Sequence, residues 1–148
     1  LLMLKKYPSY FYLSYTGALP FIATALLIGV GQKNLSFFGS IVDAMLLYAL
    51  IIASFMAGTH WGQYMAAQSI LPRYLLATSN FSAIALWFAY WYLPNAWLIW
   101  MLIATFLGLL CVDYKITAYD PSLKNYFKMR LSVTLVVCLC LFYIRINL

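Results

Sequence analysis

Charge is what this sequence has least of. Only 8% of its 148 residues are charged, against 66% that are hydrophobic, whereas an ordinary soluble domain carries roughly 25% charged residues. Such a chain has too few polar side chains to cover a water-facing surface, which excludes a soluble globular domain. A bilayer is the solvent in which it folds, provided every backbone amide is paired inside helices. Histidine occurs once, at His60, and cysteine three times, at Cys111, Cys138 and Cys140. There is no C-x-x-C pair or Cys/His cluster. Cys138 and Cys140 are two positions apart, so on a helix they point about 200° from each other and do not chelate one ion. One histidine excludes a bis-imidazole haem site within a single chain. Neither a metal nor a cofactor is expected, and the cysteines read as packing residues. Also lacking are a phosphate loop, a Ser nucleophile in a recognisable motif, an internal repeat and a low-complexity segment, so the chain reads as a non-enzyme.

What the sequence has is long apolar runs. They are continuous rather than alternating, which favours helices over an outer-membrane barrel. About 20 residues cross ~30 Å of hydrocarbon, and punctuation divides the chain into five such spans, at about 11–30, 41–66, 74–93, 96–114 and 131–146. The expectation is an all-α integral membrane protein, one domain over residues 1–148, built as a five-transmembrane-helix bundle. Pro20 predicts a kink inside the first span, because proline frees a carbonyl one turn back. That span is too long for a signal peptide and lacks a small-x-small cleavage site, so it reads as a retained helix. Pro94 and Asn95 form a tight turn between the third and fourth spans. The polar stretch "YKITAYDPSLKNYFKMR" reads as the loop before the fifth.

Basic residues set the orientation. With five spans, Lys5, Lys6, Arg73, Lys115, Lys124, Lys128 and Arg130 fall on one side and only Lys33 and Arg145 on the other. Seven against two puts the N-terminus inside. The net charge of +6 belongs mostly to that face, where each basic residue contributes about 1 kcal/mol of attraction to anionic lipid headgroups. No groove-reading module accompanies the charge, so nucleic acid is not an expected partner. Trp87, Tyr90, Trp91, Tyr92, Trp97 and Trp100 suit the outer interface, and Tyr7, Tyr10, Tyr12 and Tyr15 the inner one.

The segment "AGTHWGQ", residues 57 to 63, raises the sharpest question, because it sets the sole imidazole in an oily run. Ser54, Gly58, Gly62 and Ala66 recur every four residues, a small-residue stripe that predicts a close helix contact. His60 lies about 200° around from Gly58, so the stripe does not explain it. Gln63 is one turn further on along the face of His60. His60 sits ~9 Å inside the inner end of its helix. At that depth it shares a layer with Thr16, Thr59, Asp113, Lys115 and Arg130, the last opening the fifth helix. Intramembrane ionisable groups face a bundle interior or a wet cavity. The expectation is that His60 and Asp113 pair, with Gln63 and Arg130 nearby. Asp43 reads as a helix-start charge at the outer interface.

The stretches "SYTGALPFIATALL", "YALIIASFMAGTHWG", "LGLLCVDYK" and "YFKMRLSVTLVV" together resemble domain of unknown function family 3429, in order and over nearly the whole chain. That family takes in transmembrane protein 69, a mitochondrial multi-pass protein. The small-small-x-His-Trp-Gly element, Ala57 through Gly62, is the most specific piece. The resemblance implies a mitochondrial inner membrane or a bacterial cytoplasmic membrane, and that Arg can stand where His60 stands. It implies no activity. From the residues, an accessory subunit or assembly factor of a larger membrane complex, such as a respiratory one, ranks first, with other membrane-protein subunits as partners. A lipid, quinone or small-molecule binder or transporter, using an inner-leaflet pocket around His60 and Asp113, ranks second. An enzyme ranks last.

Overall fold

The computed structural model describes residues 9–37, 39–66 and 71–148. Lys5, Lys6 and Tyr7 lie outside the described residues, as does the side chain of Tyr10. The fold is all-α. Its elements are α1 (Ser9–Thr16), α2 (Leu19–Gly29), a two-residue hairpin of β1 (Asn34–Leu35) and β2 (Gly39–Ser40), α3 (Ile41–Ala66), α4 (Tyr74–Tyr92), α5 (Asn95–Tyr119), a 3-10 turn at Pro121–Leu123, and α6 (Lys124–Ile146).

The first apolar run is broken as Pro20 predicts. Pro20 occupies the first turn of α2, where its missing N–H costs nothing, and the chain turns at Gly17 and Ala18. The Gly17 carbonyl at this break accepts a hydrogen bond from the Tyr48 hydroxyl of α3, at 3.0 Å. α2 stops at Gly31, whose φ of +80° only glycine adopts without strain. There the Gly31 and Gln32 amides turn back to the Ile28 and Leu27 carbonyls, both at 2.9 Å, closing a Schellman motif. The antiparallel hairpin, with Asn34 opposite Ser40 and Leu35 opposite Gly39, then redirects the chain into α3. Nothing in the sequence reading anticipated it.

α3 has the expected bounds, and α4 ends one residue early. The stretch after the fourth span departs from expectation. α5 runs on to Tyr119 and α6 begins at Lys124, so most of the segment read as a loop is helix. Pro121 and the Asp120 cap are its only break, with the Asp120 carboxylate accepting the Ser122 amide at 3.0 Å. Tyrosine, lysine and methionine in this segment look polar by composition, yet they are compatible with helix, their stems lying along the bundle. Arg130 is therefore the seventh residue of α6 rather than its first.

Five helical legs alternate in direction. α3 and α5 run the same way. Asp43 and Asn95, at their N-terminal ends, are joined by a 2.7 Å hydrogen bond from the Asn95 amide, and their C-terminal portions meet again at His60 and Asp113. α4 returns the chain between them and packs on both. α6 runs back along α5, its C-terminal end marked by Phe142 against Trp100, and α1–α2 runs beside α6. The core is apolar and centred on Phe21, Leu46, Ala49, Leu98, Ile99, Leu102 and Leu141, all fully buried.

Among the described residues, four helical stretches are long and apolar enough to cross a membrane: Phe11–Gly29, Ile41–Ala66, Asn95–Tyr119 and Pro121–Ile146. α4 is long but carries Thr78, Ser79, Asn80 and Ser82 along with many aromatics, which lowers its hydropathy. Trp87, Trp91, Tyr92 and Trp97 crowd one end of the bundle and are exposed, the placement expected of an interfacial belt. Exposed Arg73, Lys115, Lys124 and Lys128 lie toward the opposite end.

Candidate functional site

Three inward helix faces meet at charges. On α3 the buried residues Ala49, Ala53, Ala57 and His60 follow four-, four- and three-residue steps, one face of the helix. On α5 the buried run Leu102, Phe106, Leu109 and Asp113 keeps to one face by steps of four, three and four, and so on α6 do Arg130, Thr134, Val137 and Leu141. Each ionisable residue thus occupies a position where helical periodicity calls for an apolar one. His60 is 0% exposed, Asp113 3% and Arg130 4%.

Asp113 joins the three helices. Its Oδ1 lies 2.9 Å from His60 Nε2, and its Oδ2 accepts from Arg130 Nε at 2.9 Å. Because the carboxylate is the acceptor, the His60 proton that faces it sits on Nε2, in either charge state of the ring. One guanidinium against one carboxylate makes the pair neutral, which lowers the cost of burying either charge. The satisfaction is partial. Arg130 Nη1 meets the Met56 thioether sulfur, a weak acceptor, while Arg130 Nη2 and His60 Nδ1 are buried with no partner among the described residues.

Arg130 also lines a cavity of about 280 Å³ between α1, α3, α5 and α6. Phe55, Phe106, Val133 and Val137 supply apolar wall, and Thr59, Tyr126 and Thr134 supply hydroxyls. Thr59 donates to the Met56 carbonyl at 2.7 Å, and the Tyr126 hydroxyl pairs with that of Thr59. Leu13 and Phe55, 75% and 66% exposed, form the outer rim. The cavity opens sideways between α1 and α3.

The structure brings His60, Asp113 and Arg130 into direct contact and sets Thr59 on the adjoining wall. Gln63 follows one turn after His60, and its Oε1 is buried without a hydrogen-bond partner among the described residues. Thr16 is not part of the cluster. That side chain is exposed and hydrogen-bonds the Leu13 carbonyl at 2.8 Å, because α1 turns Leu13 and Gly17 toward the cavity and Thr16 about 100° away. Lys115 is exposed, near the basic end of the bundle. The small-residue stripe also needs correction. Ser54, Gly58, Gly62 and Ala66 are exposed, and a Cβ added at Gly58 or Gly62 meets nothing within 4 Å among the described residues. The stripe that packs is Ala49, Ala53 and Ala57, one position earlier. Both stripes stand in the sequence: the alanine one packs within the chain, and the one that holds the glycines faces outward. Met56 and Tyr126 were missed, although each lies one turn before a recognised residue, His60 and Arg130 respectively. Among the described residues no three His, Cys, Asp or Glu side chains converge on a metal-sized site.

A family model described as "Protein of unknown function (DUF3429)" matches residues 7–145. No curated protein and no solved structure matches the chain.

Proposed function

Because this chain belongs to the DUF3429 family, whose description assigns no activity, we propose its function from the site alone: it binds a lipid-like small molecule within the bilayer. One observation carries this reading. Arg130, nearly fully buried, lines an intramembrane cavity and keeps a terminal nitrogen without a partner among the described residues. Concave, mostly apolar spaces with a few placed polar groups are the usual form of a small-molecule site. Binding is favoured over catalysis because His60 is wholly buried and both Asp113 oxygens are engaged. The setting is a bacterial cytoplasmic or mitochondrial inner membrane, crossed five times. α4 serves as a span because it runs antiparallel between α3 and α5, and the basic end faces inward. Native purification followed by mass spectrometry tests the reading: a small molecule should co-purify with the wild type and be lost from Arg130→Gln. Its absence from wild-type preparations in several mild detergents would count against the proposal.

A second reading, an accessory subunit of a larger membrane complex, is favoured by the exposed stripe of Ser54, Gly58, Gly62 and Ala66, which leaves open space for the backbone of another helix. The same spectra, read for protein partners, test it.

A further inference from the structure

We infer that the cavity beside Arg130 takes the head of a membrane-dissolved amphiphile whose polar group is an uncharged carbonyl, such as a quinone or an acyl ester, rather than a carboxylate or phosphate. The inference rests on the binding reading above and adds the chemistry of the head. Three observations converge on it.

The polarity of the site comes first. Arg130 has only donors to offer, its Nε is taken by Asp113, and its Nη2 is buried with no partner among the described residues, so a ligand atom that reaches the guanidinium is an acceptor. Charge comes next. Asp113 already neutralises Arg130 at 2.9 Å. An anionic head on the same guanidinium would add a second negative charge close to the Asp113 carboxylate, in a setting where water screens little. A carbonyl oxygen accepts such an N–H without bringing charge into the bilayer, and the Thr59 and Tyr126 hydroxyls on the same wall, already paired with each other, are uncharged as well. Size and access complete the case. About 280 Å³ falls just below the range of ~300–1,000 Å³ that encloses a drug-sized ligand, enough for a head and the start of one chain but not for two acyl chains. The exposed rim of Leu13 and Phe55 opens toward hydrocarbon, so the tail of the ligand stays in the bilayer.

Four probes with ten-carbon chains separate the heads: decylbenzoquinone, monodecanoylglycerol, decanoate and decyl phosphate. Binding is measured by calorimetry on the full chain in detergent, for the wild type and for Val133→Trp. This substitution fills the cavity from α6 and leaves His60, Asp113 and Arg130 in the sequence. The expected result is that one or both carbonyl probes bind at least tenfold more tightly than either anion, and at least tenfold more weakly to Val133→Trp than to the wild type. A preference for quinone over ester, or the reverse, assigns the source of the carbonyl. Tighter binding of decanoate or decyl phosphate, still lost in Val133→Trp, overturns the inference about the head and leaves the binding reading standing. If no probe binds the wild type, or if Val133→Trp binds all four equally well, the binding reading itself is overturned.

Discussion

Replacing Asp113 with leucine removes the one acceptor that His60 and Arg130 share. The guanidinium would then sit 4% exposed with only the Met56 sulfur against it. Stripping one partner from a buried ion pair costs about 3–5 kcal/mol. His60→Leu is milder, since Asp113 and Arg130 still face each other, and the loss is one hydrogen bond to a charged group, about 1.5–3 kcal/mol. Arg130→Leu falls between them. The double change Asp113→Leu with Arg130→Leu replaces the pair by apolar side chains. It should cost less than the two single losses added together, by roughly 0.5–3 kcal/mol. Reversible unfolding in detergent micelles reads these differences. At about 2–4 °C per kcal/mol for a chain of this size, Asp113→Leu lowers Tm by roughly 6–20 °C. A Tm for Asp113→Leu no lower than that of His60→Leu would refute a carboxylate shared between two donors. Strict additivity in the double variant would refute the Asp113–Arg130 pair.

Three further substitutions probe other parts of the fold. His60→Gln and His60→Arg both return a donor toward Asp113 Oδ1, so each should keep more thermal stability in detergent than His60→Leu. Tyr48→Phe removes the hydrogen bond to the Gly17 carbonyl and should destabilise by about 0.5–1.5 kcal/mol, measured by the same unfolding assay. Gly58→Leu or Gly62→Leu should leave the Tm of the isolated chain unchanged, because nothing within 4 Å opposes the new side chain; a large drop in Tm would show that another helix packs there.

Much of this architecture was legible in sequence wherever a span carried its own punctuation. α3 was found residue for residue, because turn-forming residues and Asp43 mark its start and the apolar run fades after Ala66. α5 and α6 were not, since their basic and aromatic ends resemble loop by composition and only Pro121 interrupts the helix. That error hid the geometry of the site. With Arg130 read as opening its helix, depth alone set it in the layer of His60 and Asp113, whereas the six residues of α6 before it bring Tyr126 onto the cavity wall. The pairing of His60 with Asp113 could be reached from depth alone, because parallel helices of equal rise carry residues to matching levels. The cavity could not, because it depends on how the broken α1–α2 leg sits against α6, and no residue pattern encodes that angle.

The two latches between α3 and α5 have a mechanical consequence. Asp43 holds Asn95 at one end and His60 holds Asp113 at the other. Along each helix the latches stand about 26 Å apart at 1.5 Å of rise per residue, close to the full thickness of the hydrocarbon. Sliding either helix by a single turn would unfasten both at once, so α3 and α5 form a stiff frame, and Arg130 bolts α6 to it. The leg made of α1 and α2 has no ionic tie to that frame among the described residues. It is jointed at Gly17 and Ala18, and one tyrosine hydroxyl bridges the joint to α3. At the mouth of the cavity, then, α1 is the wall that no ion pair fastens to the frame among the described residues.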